Sequence, residues 1–315
     1  MSDLSQITAP VLVLVGPTAI GKTALSLEIA HQYDCEIVSI DSMQVYRFMD
    51  IGTAKASVEE MAAVPHHLID VADPDEEYDA ARFVRDAMVA INEIHGRGRV
   101  ALLSGGTGLY LRALFQGLFQ DQVSNPAIRA ELERELALHG NENLHEELSV
   151  IDCVSAERIH KNDTHRLLRA LEVYRATGKP WSVHLREHQQ AQKVRFTNCL
   201  QIGLTCERNL LHERINLRTR MMLEGGLEQE VNELLARGYG PELKSMQSIG
   251  YRHMNQYLQG LWGLDECERL LARDTRRYAK RQYTWFSSSK DLQWFATDKP
   301  EAVLAVVKKW HGFVS

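Results

Sequence analysis

No stretch of this 315-residue chain approaches the roughly 18 consecutive apolar residues that a membrane-spanning helix requires. Its five cysteines, Cys35, Cys153, Cys199, Cys206 and Cys267, form neither a C-x-x-C pair nor a zinc-finger spacing. A disulfide framework and a structural zinc site are therefore not expected, and the thiols read as reduced and structural. Internal repeats and low-complexity tracts are absent, as is the G-x-S-x-G turn of serine hydrolases. A net charge of −6 argues against a protein that coats nucleic acid over its whole surface, while leaving a local basic groove open. Residues Met1 to Gln6 are slightly acidic and pass through a short apolar run into a glycine-rich loop, so no signal peptide is expected and the cytoplasm is the default compartment. What is present is a soluble composition, 44% hydrophobic and 25% charged, in a chain long enough for two domains or for one large domain with an insertion.

Residues Val11 to Val15 read as a buried strand, and the next eight, Gly16, Pro17, Thr18, Ala19, Ile20, Gly21, Lys22 and Thr23, spell the phosphate-binding loop G-x-x-x-x-G-K-[ST]. The two glycines let successive N–H groups point into one concavity, and the helix that starts near Lys22 adds its positive end to the same spot. Lys22 is placed to meet a terminal phosphate as a point charge, and the Thr23 hydroxyl to meet Mg²⁺.

Apolar runs bounded by turn signals recur at 11–15, 36–40, 67–71 and 99–103, with helical patterns between them, most clearly at 22–33 and 79–95. Strands alternating with helices predict a parallel sheet covered on both faces. From Asn125 to about Gln192 helix follows helix with no strand between, at 126–139, 155–159, 164–177 and 181–190, which predicts a helical insertion. A strand returns at 199–205, followed by helices at about 208–223, 227–237, 248–258 and 265–286, a last strand at 291–296 and a closing helix at 300–311. The fold class expected is α/β: a P-loop NTPase-like parallel sheet of residues 1–120 plus 197–315, flanked by helices, with an all-helical insertion domain at 121–196.

Asp41 stands where the second strand ends, on the sheet edge that lines the ligand crevice of an open α/β fold. It is read either as a water-mediated Mg²⁺ partner or as a general base, with helix capping as the bland alternative. Ser104 to Gly108 make a second glycine-rich turn after the fourth strand, and Thr107 there is placed for phosphate or metal unless it merely caps a helix. No carboxylate ends that strand where a Walker B residue would stand, which argues against an ATPase. Arg214 and Arg218 share a helix face and offer a clamp for a leaving phosphate, or else a solvated basic face. Arg273, Arg276, Arg277, Lys280 and Arg281 form a basic stripe suited to a nucleic-acid backbone, and Tyr283, Trp285 and Phe286 beyond it read as core packing. His184 to His188 match H-x-x-E-H, but the surrounding charged residues and the lack of a third ligand argue against zinc.

Six segments carry a resemblance: the phosphate loop itself, Asp41 to Arg47, Met49 to Lys55, Pro65 to Asp70, Gly105 to Tyr110 and Gln247 to Arg252. In this order they resemble the tRNA dimethylallyltransferases, also called tRNA isopentenyltransferases. The resemblance implies transfer of a dimethylallyl group from dimethylallyl diphosphate to N6 of adenosine 37 in tRNAs reading codons that begin with U. It implies Mg²⁺ as cofactor, a monomer, and the tRNA anticodon stem-loop as partner, clasped by the helical insertion. Asp41 would be the general base, and Lys22, Thr23 with Mg²⁺, Thr107 and Arg218 would stabilise the departing diphosphate held by residues 16–23. Contacts to tRNA would fall to Asp41, Ser42, Met43, Gln44, Thr107, Arg129, His165, Arg166, Leu167, Leu168, Arg169, Gln247, Ser248, Ile249, Gly250, Tyr251 and Arg252. Four residues depart from the family pattern: Ile20 for a usual Ser, Phe48 for Gly, Ala56 for Pro, and Ser287 where Arg is common. An adenylate dimethylallyltransferase using free AMP, a P-loop small-molecule kinase and a non-enzymatic RNA-binding module are the competing readings.

Overall fold

The computed structural model describes residues 7, 9–117, 125–191 and 196–314. The chain divides into two compact units, residues 1–115 with 195–315, and residues 116–194. Of the two breaks expected, the one at 120/121 lies outside the described residues.

The first unit is built on six parallel strands: β1 (Val11–Val15), β2 (Cys35–Ile40), β3 (His66–His67), β4 (Val100–Gly105), β5 (Cys199–Thr205) and β6 (Leu292–Ala296). They are ordered β3-β2-β4-β1-β5-β6. All five residues of β1 are buried, as a central strand covered on both faces requires. Val11, Val13 and Val15 enter one apolar cluster, and Leu12 and Leu14 enter the other, following the two-residue alternation of a strand. Val15 and Ile40 both pair with Gly105, so β1, β4 and β2 end side by side.

Flanking this sheet are α1 (Lys22–Gln32), α2 (Val58–Ala63), α3 (Ala80–Gly96), α4 (Gly108–Gln116), α9 (Arg208–Glu224), α10 (Leu227–Ala236), α11 (Tyr251–Leu258), α12 (Leu264–Phe286) and α13 (Pro300–Val314). The strand expected at 67–71 is shorter than its apolar pattern. Leu68 and Asp70 take left-handed φ values of 62° and 56°, and these break the ladder. Helix α11 begins at Tyr251 rather than 248, because Gly250 at φ 99° forms its boundary. Helix α2 was not anticipated; Ser57 and Glu60 close it with a reciprocal capping box. Trp285 and Phe286 pack on the sheet core, as expected.

The second unit contains α5 (Pro126–Ile151), α6 (Cys153–Arg158), α7 (Thr164–Thr177) and α8 (Trp181–Ala191). Gly140, at φ 76°, interrupts α5 close to where the sequence pattern ends its first helix. Leu132, Leu144, Leu148, Leu167, Leu168 and Leu171 form a core of this unit's own. Arg175 ties α7 to α5 through Glu135 and Glu147, at 2.7 and 2.9 Å. No helix among the described residues is long and apolar enough to cross a membrane.

Candidate active site

The loop leaving β1 curls around a chamber of about 100 Å³ lined by Thr18 to Thr23, Asp41, Ser104 to Gly106, Arg218, Tyr278 and Gln282. Gly21 enters α1 at φ 104°, a conformation that costs an L-residue with a side chain on the order of 1 kcal/mol. Lys22 donates from Nζ to the carbonyls of Gly16 (2.9 Å) and Pro17 (2.8 Å). Burial first, and then the neighbouring Arg218, lower the Lys22 pKa to about 7, against a partial lift from Asp41. Ile20 borders the chamber but is fully buried, its side chain packed in an apolar cluster of the core. The departure from Ser is therefore absorbed by the core. Pro17 is buried as well, while Thr23 is exposed.

Asp41 follows β2 directly. Its Oδ1 accepts from the N–H groups of Met43 (2.8 Å) and Gln44 (3.3 Å), which leaves Oδ2 without a protein hydrogen bond among the described residues. Burial raises the Asp41 pKa, against the opposing pull of those two N–H groups, Lys22 and Arg218. Thr107 Oγ1 accepts from Ser42 N at 3.0 Å, so the second glycine-rich turn is bonded directly to the Asp41 turn. Gln44 takes a structural role: its Oε1 accepts from Ser39, and its Nε2 donates to the carbonyls of Thr53 and Ala54. Arg218 donates to Thr18 Oγ1 at 3.4 Å, and burial lowers its pKa. Arg214, one turn earlier on α9, is used up on the Ile20 carbonyl at 3.0 Å.

A second chamber of about 310 Å³ adjoins the first and shares Thr18, Asp41, Thr53, Ala54, Arg218 and Tyr278 with it. Its remaining wall is mixed: Met43, Ile215, Met222, Ile249 and Leu271 are apolar, while Gln247, Ser248, Arg252 and Arg281 are polar. Ser248 Oγ is buried there with no hydrogen-bond partner among the described residues. One chamber is thus small and bordered by the glycine-rich loop, the other is larger and pairs an apolar wall with polar edges, and they meet at one carboxylate and one guanidinium.

Three contributors were missed in the sequence. Tyr278 faces both chambers and lies within hydrogen-bonding reach of Thr107 and Gln282; burial pushes its hydroxyl up to about 12. Gln282 bridges the two glycine-rich turns; it was hidden behind the basic stripe, and the helical period of α12, which puts it on the buried face with Ala279 and Phe286, is the signal that could have found it. Glu230 on α10 accepts from the N–H groups of Asp50, Ile51 and Gly52 and from the Tyr251 hydroxyl at 2.6 Å.

That last bond corrects one expectation. Tyr251 is fully buried against Gly52, where a Cβ would lie 2.5 Å from its ring, so its side chain holds the 50–52 turn rather than meeting RNA. Leu167 and Leu168 are corrected likewise, since both belong to the second unit's core. His165 and Arg166 are exposed on the first turn of α7. Arg129 and Arg169 in that unit pair with the buried Glu172, at 3.8 and 3.1 Å. Ser42, Met43, Gln247, Ser248, Ile249 and Arg252 all line the larger chamber, and Gly250 forms the turn that starts α11. Arg252 is held by Asp274 at 2.7 Å, which also engages His253, Arg273 and Arg277. Of the H-x-x-E-H residues, His184 bonds the Thr177 hydroxyl at 3.1 Å and Glu187 pairs with Lys179; the His188 side chain lies outside the described residues. No group of three metal-ligating side chains occurs among the described residues. Phe48, which replaces a usual Gly, sits at φ 66° with the Arg237 guanidinium 4.2 Å above its ring. Nothing in the structure explains Ala56 or Ser287.

Residues 44–289 match the sequence model of the family described as IPP transferase. A tRNA dimethylallyltransferase of Desulfotalea psychrophila is 54% identical over 307 residues, covering 98% of this chain and 97% of that one. One from Desulfosudis oleivorans is 49% identical, covering 90% of each. Among solved structures, the full-length tRNA isopentenylpyrophosphate transferase of Bacillus halodurans superposes with a TM-score of 0.69 at 40% identity, covering 97% of this chain and 99% of that one. A eukaryotic dimethylallyltransferase acting on tRNA superposes with a TM-score of 0.79 at 28% identity, covering 98% and 81%. The glycine-rich loop, the carboxylate beside it and these likenesses converge, and the chain belongs to the IPP transferase family as a tRNA-modifying prenyltransferase.

Proposed function

We propose that this protein transfers the dimethylallyl group of dimethylallyl diphosphate to N6 of adenosine 37 in tRNAs reading codons that begin with U. The observation that carries this reading is the meeting of the two chambers at Asp41 and Arg218. The diphosphate lies in the residue 16–23 cradle, its allylic carbon points toward the larger chamber, and the adenine enters from that side. The C–N bond forms as the allylic C–O bond breaks. Adenine N6 is a weak nucleophile that becomes acidic only as the new bond develops, and a carboxylate of raised pKa is matched to take its proton then. Negative charge growing on the departing diphosphate is met by Lys22, Arg218 and the N–H groups of the cradle.

The residues fit Mg²⁺ held through the substrate. The Thr23 hydroxyl has no protein partner among the described residues, and it lines the same chamber as Asp41. Mg²⁺ characteristically combines one or two such protein oxygens with substrate phosphates and water. When bound, Mg²⁺ would neutralise charge on the diphosphate; Thr23 would hold it. Arg129, His165, Arg166 and Arg169 of the helical unit are assigned to the RNA arm, alongside the exposed cations of α12. We further assign the protein to the cytoplasm, as a monomer.

The test is single-turnover transfer of labelled dimethylallyl from its diphosphate to an unmodified anticodon stem-loop, with free AMP as the competing acceptor. Label on adenosine 37 is expected; label on AMP alone would overturn the tRNA assignment. Asp41→Ala should slow the chemical step by roughly 10²- to 10⁴-fold with RNA affinity retained.

A further inference from the structure

Gln282 is 6% exposed, on the last turn of α12. Its Oε1 accepts from Thr18 N at 2.9 Å, and its Nε2 donates to the Gly106 carbonyl, also at 2.9 Å. One amide thus spans the donor loop after β1 and the turn after β4. Both anchors reach the reacting groups in one further step. Thr18 Oγ1 takes the Arg218 guanidinium, and Gly106 precedes Thr107, whose hydroxyl accepts from Ser42 beside Asp41. The backbone is cut to fit this side chain, because a Cβ on Gly106 would lie 2.3 Å from Gln282 Nε2 and meets nothing else closer than 3.5 Å.

We propose that Gln282 is a positioning residue that sets the spacing between the diphosphate-holding loop and the turn carrying Asp41, and so decides whether the activated allyl group is captured by adenine N6 or by water. This rests on the transfer reaction proposed above. The β1 and β4 strand ends are joined by the sheet ladder up to Val15 and Gly105; beyond them no backbone hydrogen bond links the two turns among the described residues, and Gln282 is a direct side-chain bridge between them. A near-attack geometry is sensitive at this scale: a displacement of about 1 Å costs on the order of 100-fold in rate. When the acceptor is displaced, the allylic C–O bond still breaks in the cradle, and a water oxygen forms the new C–O bond instead of N6. The products are then dimethylallyl alcohol, inorganic diphosphate and a proton.

The experiment follows single turnovers with labelled dimethylallyl diphosphate and the stem-loop, measuring both prenylated RNA and diphosphate released without transfer, alongside donor affinity and melting temperature. Gln282→Met removes both bonds at nearly constant volume. Gly106→Ala displaces the amide without altering it. Each is expected to slow transfer about 10- to 100-fold and to raise the share of diphosphate lost to hydrolysis, with donor Kd within about threefold of the parent. The two changes act on one contact, so Gly106→Ala combined with Gln282→Ala should be no slower than Gln282→Ala alone. Unchanged partitioning between RNA and water in folded variants, a loss confined to donor Kd, or multiplicative effects in the double variant would each overturn the proposal. If the parent protein prenylates the stem-loop while the variants match it, only this inference fails. If the parent prenylates nothing, the functional reading fails and takes this one with it.

Discussion

Lys22 illustrates how much of a residue's chemistry lies outside its motif. The spacing G-x-x-x-x-G-K-[ST] marks it as a phosphate ligand, but only the fold shows that burial and Arg218 bring its pKa to about 7 from 10.5. A neutral amine still has two N–H donors for the two carbonyls it contacts. Between pH 7 and 10.5 the unfolded chain binds more protons at this site than the folded one, so this group's contribution to stability rises with pH across that window. A bound diphosphate restores the charge. At about pH 8, donor binding should take up a proton, seen as apparent enthalpies that differ between buffers of unlike ionisation heat. Equal enthalpies, or a difference that survives Lys22→Met, would refute it. Ile20 makes the opposite case, since the motif places it in the cradle and the fold places it in the core. Ile20→Ser should cost about 2–5 kcal/mol in urea unfolding and leave donor affinity within about threefold; a large loss of affinity in folded protein would return the side chain to the ligand.

Helix α12 shows why elements were easier to read than their roles. Apolar positions at helical spacing located it within a residue at its start, and the run of arginines pointed to RNA. Pattern alone does not distinguish cations that face solvent from those that brace the fold. Arg273 pairs with Asp274 at 2.8 Å and Arg276 bonds Asn216, whereas the Arg277 side chain is 65% exposed and Lys280 and Arg281 are exposed. Replacing Arg277 or Lys280 by Gln should therefore weaken stem-loop binding and lower the slope of log affinity against log salt by about 1 per lost phosphate contact. Arg273→Gln should act mainly through melting temperature. A salt slope unchanged by either exposed variant would remove α12 from the RNA interface. The strand expected at 67–71 failed in the opposite direction: Leu68 is buried, but the left-handed Leu68 and Asp70 end the ladder after His67, and Asp70 turns to Lys55 at 2.6 Å. Such long-range ion pairs leave no trace in a local period.

At the scale of the whole molecule, the alternation of strands and helices and its interruption after Asn125 were legible because each follows from hydrophobic period. The meeting of Asp41 with Arg218 followed only from the family resemblance and not from any local period, since residues so distant in sequence are brought together by the fold. The first unit closes on itself at the point where the insertion leaves: Phe115 and Phe196 have ring centroids 4.7 Å apart. Replacing residues 118–194 by a short Gly-Ser linker should therefore keep diphosphate binding and most of the first unit's helix content, while stem-loop affinity falls at least tenfold. A shortened protein that binds the stem-loop as well as the parent would relieve the helical unit of its RNA role. The Phe115–Phe196 contact also bears on how the chain first assembles. Pairing β5 with β1 must close past about 80 residues of insertion, and each halving of that loop's effective length removes about 0.6 kcal/mol of closure entropy. The second unit has a leucine core and local helix contacts of its own, so its early collapse would act as an internal splint, shortening the search by which the catalytic sheet finds its fifth strand.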